Sequence, residues 1–192
     1  MGQEFELKYR ATPEQLVRIQ NELGPFREII METTYYDTPD RALSARKWTF
    51  RRRFENGISV CTLKTPGEHG VRGEWEVQCG SILEAPEKLC KLGCPEELMQ
   101  LTAQGVVMVC GARFSRLACL IETEGCMVEL ALDRGRLLGG GKELPFSEAE
   151  VELKSGQEES AVAFGRMLAE TYCLTPEHRS KFKRALALAL EK

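Results

Sequence analysis

Several stretches of the chain alternate strictly between apolar and charged side chains. The clearest is 148–154, where every second residue is charged, from Glu148 to Lys154. The same alternation opens the chain, at Glu4, Glu6, Lys8 and Arg10. Because successive side chains of a β-strand point to opposite faces, each such stretch would have one apolar and one charged face. The alternation therefore predicts amphipathic β-strands.

Turn residues divide the chain into nine strand-like segments, from which we expect about eight strands. The predicted strands are 3–10, 26–37, 48–55, 58–65, 71–79, 105–117, 118–123, 126–133 and 147–154. Asn56-Gly57 is the strongest short hairpin signal and joins two of them. Helical spacing and cap residues predict helices at 12–23, 84–104 (in two pieces), 158–172 and 175–190, and 41–47 is expected to cross over as one helical turn. Thr175-Pro176 is expected to begin the last helix, which would carry Lys183 and Arg184 on its surface.

The charged faces predict how the strands are arranged. A sheet face in water is usually rich in Thr, Ser, Lys and Gln, whereas these faces concentrate Glu and Arg in pairs two residues apart. A closed barrel of about eight strands would direct all of them towards one axis, and amphipathic helices would cover the apolar outside. We therefore predict an α+β protein, with an eight-stranded antiparallel closed β-barrel, or tunnel, and helices packed on its outside. The length favours a single domain over residues 1–192.

The predicted inward charges are nearly balanced. The acids are Glu4, Glu6, Glu74, Glu76, Glu129, Asp133, Glu148, Glu150 and Glu152. The bases are Lys8, Arg10, Arg51, Arg53, Lys64, Arg72, Arg113 and Lys154. Because a buried charge must be paired, much of the interior would be self-neutralised. A local excess of carboxylates would bind divalent cations, and arginines and lysines elsewhere would bind an oligophosphate, which together indicate phosphoryl transfer.

Composition narrows the choice of metal and compartment. The net charge of −3 argues against sequence-independent nucleic-acid binding. We find no apolar run of the ~18 residues that a membrane helix needs and no signal peptide, so we expect a cytoplasmic protein. The eight cysteines contain no C-x-x-C pair, only Cys90 and Cys94 lie close together, and we expect reduced, inert core thiols. With two histidines in the chain, a metal would rest on carboxylates, which favours Mg²⁺ or Mn²⁺.

Seven motifs occur in order along nearly the whole chain. They are Glu4-x-Glu6-x-Lys8, the turn 35–39, Phe50-Arg51-Arg52-Arg53, Thr62-Leu63-Lys64 with Arg72-x-Glu74-x-Glu76, residues 128–135, residues 148–154, and Ser180-Lys181. In this order they resemble the triphosphate tunnel metalloenzymes, also called CYTH-domain proteins. The resemblance implies an eight-stranded antiparallel tunnel that binds a triphosphate and a divalent metal.

The resemblance also implies roles, carried over position by position. The metal-side carboxylates, which are also the catalytic group, are Glu4, Glu6, Glu150 and Glu152. The phosphate clamp is Lys8, Arg51, Arg53, Lys64, Arg113 and Lys181. The residues that would orient the clamp, pair with neighbouring charges or help to hold a second metal are Glu74, Glu76, Glu129, Asp133, Arg72 and Lys154. One departure is Gly111, where the family often has the lysine of a Lys-x-Arg pair, which would remove one phosphate contact before Arg113.

The activity implied by the resemblance is Mg²⁺- or Mn²⁺-dependent hydrolysis of inorganic triphosphate or of a triphosphate ester, such as thiamine triphosphate. Two alternatives remain open. A class IV-type adenylyl cyclase would use the same clamp on ATP, and a non-catalytic polyphosphate-binding module would keep the clamp without the carboxylates. The expected partner is a triphosphate-containing small molecule, with neither nucleic acid nor membrane. A homodimer would form through the helices or the outer wall.

Overall fold

The computed structural model describes residues 5–66 and 72–191. Its strands are β1 Glu6–Arg10, β2 Arg27–Asp37, β3 Thr49–Glu55, β4 Ile58–Pro66, β5 Arg72–Gln78, β6 Val107–Thr123, β7 Cys126–Gly139, β8 Lys142–Gly156 and β9 Thr175–Pro176. Its helices are α1 Pro13–Leu23, α2 Ala42–Ala45, α3 Ala85–Lys91, α4 Glu97–Thr102, α5 Glu158–Tyr172 and α6 Lys181–Leu190. The α+β prediction is therefore confirmed.

The strands form one antiparallel sheet in the order β5-β4-β3-β2-β6-β7-β8-β1-β9. The antiparallel prediction is confirmed, but the sheet has nine strands instead of eight. In the described ranges it is also not closed by hydrogen bonds, since the order ends at β5 and β9. The sheet nevertheless curls. This is seen from Glu6 on β1 and Glu74 on β5, which lie near opposite ends of the strand order but line one cavity.

The ninth strand corrects the predicted start of the last helix. Thr175 and Pro176 pair with Arg10 and Tyr9 of β1 instead of opening a helix. The helix α6 begins after Ser180, whose side chain accepts a hydrogen bond from the backbone N–H of Lys183. A serine at this position satisfies a backbone donor that the first helical turn leaves without a partner, so it fixes where the helix starts.

Strands β6, β7 and β8 are longer than predicted. The separate segments 105–117 and 118–123 form the single 17-residue strand β6, because no turn residue separates Leu117 from Ala118. Strands β7 and β8 continue to a tight turn at Gly140 and Gly141, whose φ angles are 59° and 75°. Glycine adopts such positive values without steric cost, so the two strands can reverse there.

Local signals elsewhere in the sequence are confirmed. Helix α1 begins with a complete capping box between Thr12 and Gln15. Asn56 and Gly57 have φ angles of 48° and 87° and form the turn between β3 and β4. In the motif 35–39, the buried Asp37 accepts hydrogen bonds from the backbone N–H groups of Leu43 and Ser44 and so fixes the start of α2. Asp37 of this motif therefore has a structural role.

Most helices cover the outside of the sheet, as predicted. Helices α1 and α5 pack on β1, β7 and β8, and α3 and α4 pack on β3 to β5. Helix α6 is different, because its Ala185 packs with Met31, Tyr35 and Phe114, three residues that also line the cavity. This helix therefore lies at one end of the cavity instead of on the outer wall. No helix within the described residues is long and apolar enough to span a membrane.

Candidate functional site

Charged side chains of the inner sheet face line one cavity of about 370 Å³. The predicted site residues that it brings together are Glu6, Lys8, Arg51, Arg53, Lys64, Glu74, Glu76, Glu129, Glu150, Glu152, Lys154 and Lys181. Asp133 lies directly behind this lining, because it is fully buried and contacts Lys181. Glu4 and the side chain of Arg72 lie outside the described part of the chain. The predicted convergence on one cavity therefore holds for most of the described set.

Arg113 is not part of the cavity, and its predicted position is wrong. Its side chain is 65% exposed, and its Nε lies 3.4 Å from Glu32 Oε1 in a groove that Gly111 also lines. The inner face of β6 carries Phe114 and Arg116 instead, since side chains alternate along the strand. Gly111 is therefore not the position of a missing phosphate contact. Arg10, predicted to point inward, is also largely exposed.

Three carboxylates form an open acidic row across adjacent strands, namely Glu6, Glu129 and Glu152. The register places Glu152 opposite Glu6 on one side and opposite Glu129 on the other. Their side chains are 20 to 28% exposed and line the cavity. Lys8 Nζ lies 2.7 Å from Glu6 Oε1, and Lys154 Nζ lies 2.7 Å from Glu152 Oε1. The row therefore combines carboxylate ligands with solvent access.

A second group of charges is buried beside the row. We call it the buried ion network, and it consists of Asp133, Glu148, Glu150, Arg116, Lys181 and Arg184. Arg116 forms a two-pronged contact with Asp133, with both N···O distances at 2.8 Å, and also contacts Glu150. Lys181 Nζ lies 2.6 Å from Asp133 and 2.9 Å from Glu150 and contacts Glu148. Arg184 contacts Glu148. Three acids are thus balanced by three bases.

The network shifts the pKa values of its members. Burial favours a neutral amine at Lys181, but the carboxylates of Asp133, Glu150 and Glu148 outweigh it and raise the pKa of this lysine. Burial also favours a neutral Glu150, but Lys181 and Arg116 hold its pKa well below the ordinary value. At Glu148 burial is the larger effect, so its pKa is raised. Lys181 and Glu150 are therefore held in their charged forms.

Arginines and lysine on the opposite part of the lining form a basic wall, which we define as Arg51 and Arg53 on β3 and Lys64 on β4. Arg51 Nη2 lies 3.9 Å from Glu74 and 3.7 Å from Glu76, and Lys64 Nζ lies 3.1 Å from Glu74. Burial and the neighbouring Arg51 lower the pKa of Arg53. Glu74 and Glu76 balance much of the positive charge here, and the donors of these three bases face the cavity, where a bound anion would contact them.

The donor atoms of the site fit a hard divalent cation. Oxygen atoms of Asp133, Glu148 and Glu150 lie within 4.8 Å of one another, so this buried cluster could bind a metal. Those three carboxylates, however, already contact Arg116, Lys181 and Arg184. The carboxylates of the open acidic row also contact bases, Lys8 and Lys154, but they lie at the cavity surface, where a cation from solution can reach them. Neither His nor Cys lines the cavity in the described residues. Oxygen ligands of this kind suit Mg²⁺ and Mn²⁺.

Two residues of the network were missed from the sequence. Arg116 lies three positions after Arg113, so the two side chains point to opposite faces of β6, and assigning Arg113 inward excluded Arg116. Arg184 was expected at the surface, but it is 8% exposed and contacts Glu148. Its spacing from Lys181, three residues along one helix, is the signal that places both side chains on the same face. Lys183 is exposed, as expected.

Comparison with known proteins gives matches along the whole chain. Residues 2–186 match the sequence model of the CYTH domain. An inorganic triphosphatase from Haemophilus influenzae is 29% identical over 195 aligned residues, which cover 98% of this chain and 55% of that protein. The chain therefore spans about half the length of this curated relative.

Solved structures share the fold. A Hippeastrum protein, described as an adenylyl cyclase candidate with a dominant triphosphatase activity, aligns with a TM-score of 0.67 and 18% identity over 99% of this chain and 98% of that one. A Pyrococcus horikoshii protein aligns with a TM-score of 0.65 and 23% identity over 96% and 99%. A Bacillus halodurans adenylate cyclase candidate gives 0.64 and 21% over 96% and 98%. At these identities the likeness concerns the fold alone.

Proposed function

Because the chain belongs to the CYTH domain family, we propose that it is a divalent-metal-dependent hydrolase of inorganic triphosphate or of a triphosphate ester. The observation that carries the proposal is the pairing of the open acidic row with the basic wall around one cavity. Acids that bind a cation and bases that bind phosphate oxygens are the two components that phosphoryl transfer needs. The triphosphatase named among the relatives supports the same reaction class.

The basic wall would bind the phosphate chain. Arg51 and Arg53 present forked donors that match phosphate oxygens, and Lys64 adds a compact point charge. Glu74 and Glu76 contact these bases and would keep their side chains extended into the cavity before substrate arrives. Pre-positioned donors lower the cost of binding, because fewer side-chain rotations are lost.

The open acidic row would hold Mg²⁺ or Mn²⁺ through Glu6, Glu129 and Glu152. A divalent cation bound there would supply charge neutralisation for the phosphate oxygens. Glu4 remains predicted as a further ligand. Glu150 remains a predicted ligand as well, but its contacts with Lys181 and Arg116 support a role in positioning Lys181 at the cavity surface.

The hydrolytic step follows from these positions. A carboxylate of the open acidic row would accept a hydrogen bond from a water molecule and direct its oxygen at the terminal phosphorus. A bond from the water oxygen to phosphorus would form as the bond to the bridging oxygen breaks, which releases phosphate and the shortened chain. Arg51, Arg53 and Lys64 would stabilise the negative charge that develops on the departing group.

The two alternative functions make different products. A cyclase would convert ATP to cyclic AMP and diphosphate, whereas the proposed hydrolase would release orthophosphate. A binding module would lack carboxylates beside its clamp, but Glu6, Glu129 and Glu152 all line this cavity. The test is therefore a product assay with inorganic triphosphate, ATP and thiamine triphosphate, each with Mg²⁺ and Mn²⁺. Cyclic AMP as the main product from ATP would contradict the proposal.

A substitution in the open acidic row tests the mechanism. We expect Glu152→Gln to lower the rate of phosphate release by roughly 100-fold or more, since it removes a charged oxygen from the centre of the row. The fold should persist, because the side chain is 28% exposed and the amide has the same shape. Glu143→Gln, on an exposed pair with Arg136, is the matched control and should keep full activity. Full activity of Glu152→Gln at saturating Mg²⁺ would exclude this carboxylate as a ligand.

A further inference from the structure

Two cysteines outside the cavity lie in sulfur contact at the end of α3. Cys90 Sγ is 3.4 Å from Cys94 Sγ. The turn between them brings the thiols together, because Gly93 adopts a φ of +88° and reverses the chain. The N–H of Cys94 donates to the Leu89 carbonyl at 3.2 Å, and the N–H of Gly93 donates to the Cys90 carbonyl at 2.9 Å. This is a hydrogen-bonded helix end of the type that glycine allows.

We propose that Cys90 and Cys94 form a reversible disulfide by exchange with a small-molecule disulfide such as oxidised glutathione. The two sulfur atoms need to approach by about 1.4 Å from their present separation to reach bonding distance. The turn is short and glycine-containing, so a movement of that size can be taken up by side-chain rotation and the local backbone. The site rests on a pair of thiols and a fixed turn, and it is independent of the proposed hydrolysis.

The different burial of the two thiols sets the order of events. Cys90 is half-buried, whereas Cys94 is only 5% exposed, so an oxidant in solution reaches Cys90 first. The Cys90 thiolate attacks one sulfur of glutathione disulfide, forms a mixed disulfide and releases one glutathione. Cys94 then loses its proton and attacks Cys90 Sγ, which releases the second glutathione. Two protein thiols are oxidised, and one glutathione disulfide is reduced to two glutathione molecules.

The surroundings of the two thiols slow both the formation and the reduction of the disulfide. Burial, with a further contribution from the neighbouring Cys90, raises the pKa of the Cys94 thiol to about 12. Only a small fraction of this thiol is therefore ionised at neutral pH, and the second step is slow there. A high thiol pKa also makes sulfur a poor leaving group, so the closed disulfide would resist reduction. The Cys90–Cys94 disulfide would therefore form slowly and be reduced slowly.

The experiment uses the full chain with Cys173→Ser, which removes an exposed thiol that would react by itself. After incubation with glutathione disulfide at mildly alkaline pH, we expect the intact mass to fall by about 2 Da, with residues 90 and 94 in one cross-linked peptide. Adding Cys90→Ser should abolish the loss of mass, and adding Cys119→Ser, at another half-buried thiol, should leave it unchanged. Phosphate release should not change, because α3 packs outside the sheet.

Three results would overturn the proposal. Both thiols could remain reduced in folded protein, or glutathione could remain attached to Cys90 without release. The loss of mass could also persist in the variant with Cys90→Ser, which would place the disulfide elsewhere. None of these three results needs a substitution at the buried Cys94, so they do not depend on whether a Cys94 variant folds.

Discussion

The open acidic row and the buried ion network draw on the same strand but differ in what surrounds their carboxylates. Strand β8 supplies Glu148 and Glu150 to the network and Glu152 to the row, at consecutive inward positions. Glu148 is fully buried and contacts two bases, whereas Glu152 is 28% exposed and contacts Lys154 at the cavity surface. Residue type and strand position are therefore not enough to assign a role, because burial and the number of cations in contact decide whether a carboxylate is structural or available.

The first way to test this contrast is a stability measurement. We expect Glu148→Ala to lower the free energy of unfolding by about 3–5 kcal/mol, since it leaves the buried Arg184 without its carboxylate partner. Glu129→Ala, which removes a partly exposed acid from the row, should cost about 1 kcal/mol or less. Urea unfolding of both variants measures the difference. Equal losses would show that the two groups are energetically alike.

The second test compares cations on opposite faces of the sheet. We expect Arg51→Met to raise the KM for inorganic triphosphate about tenfold, because a charge-assisted contact to phosphate is lost. Arg113→Met should leave KM unchanged, since this side chain is 65% exposed and outside the cavity. Steady-state kinetics on the two variants decide the matter. A larger effect at Arg113 would restore the position that the sequence predicted for it.

The third and smallest expected effect is a pH dependence within the network. The cations near Glu150 outweigh its burial and lower its folded-state pKa below the ordinary 4.5, so its contribution to stability is present above that pH. This contribution is lost as the pH falls through the lower, folded-state pKa. The difference in unfolding free energy between the wild type and Glu150→Gln should therefore be constant above about pH 4.5 and shrink below it. A difference that grows below this pH would contradict the assigned charge state.

Local chemistry made much of the fold predictable. The capping box at Thr12 and the Asn56-Gly57 turn each carry their structure in a few adjacent residues, and both are present. Strict alternation of charge placed Glu150 and Glu152 on the inner face of β8 without knowledge of any other strand. Such signals depend only on residues that are adjacent in sequence, so a single sequence is enough to predict the structures they form.

Features set by distant contacts were not predictable in the same way. Strand β9 was missed because it forms only through pairing with β1, which is more than 160 residues away in sequence. Arg113 was assigned inward and Arg116 was not, although both lie in the predicted segment 105–117, because alternation alone leaves open which face of a strand points inward. The cations that neutralise Glu148 are Lys181 and Arg184, which lie on a helix, so no pattern within strand β8 reveals them.

The position of β1 in the sheet also constrains how the protein is made. Strand β1 is synthesised before its register partners on β8 and β9. Glu6 therefore cannot lie opposite Glu152 until β8 has been made. The cavity further needs Lys181 and Phe182 from α6. A ribosome must therefore pass residue 182 before the site can assemble, and until then the nascent chain carries charged strands without their final neighbours. Pairings so distant in sequence are slow to form, so the site is expected to assemble late in folding.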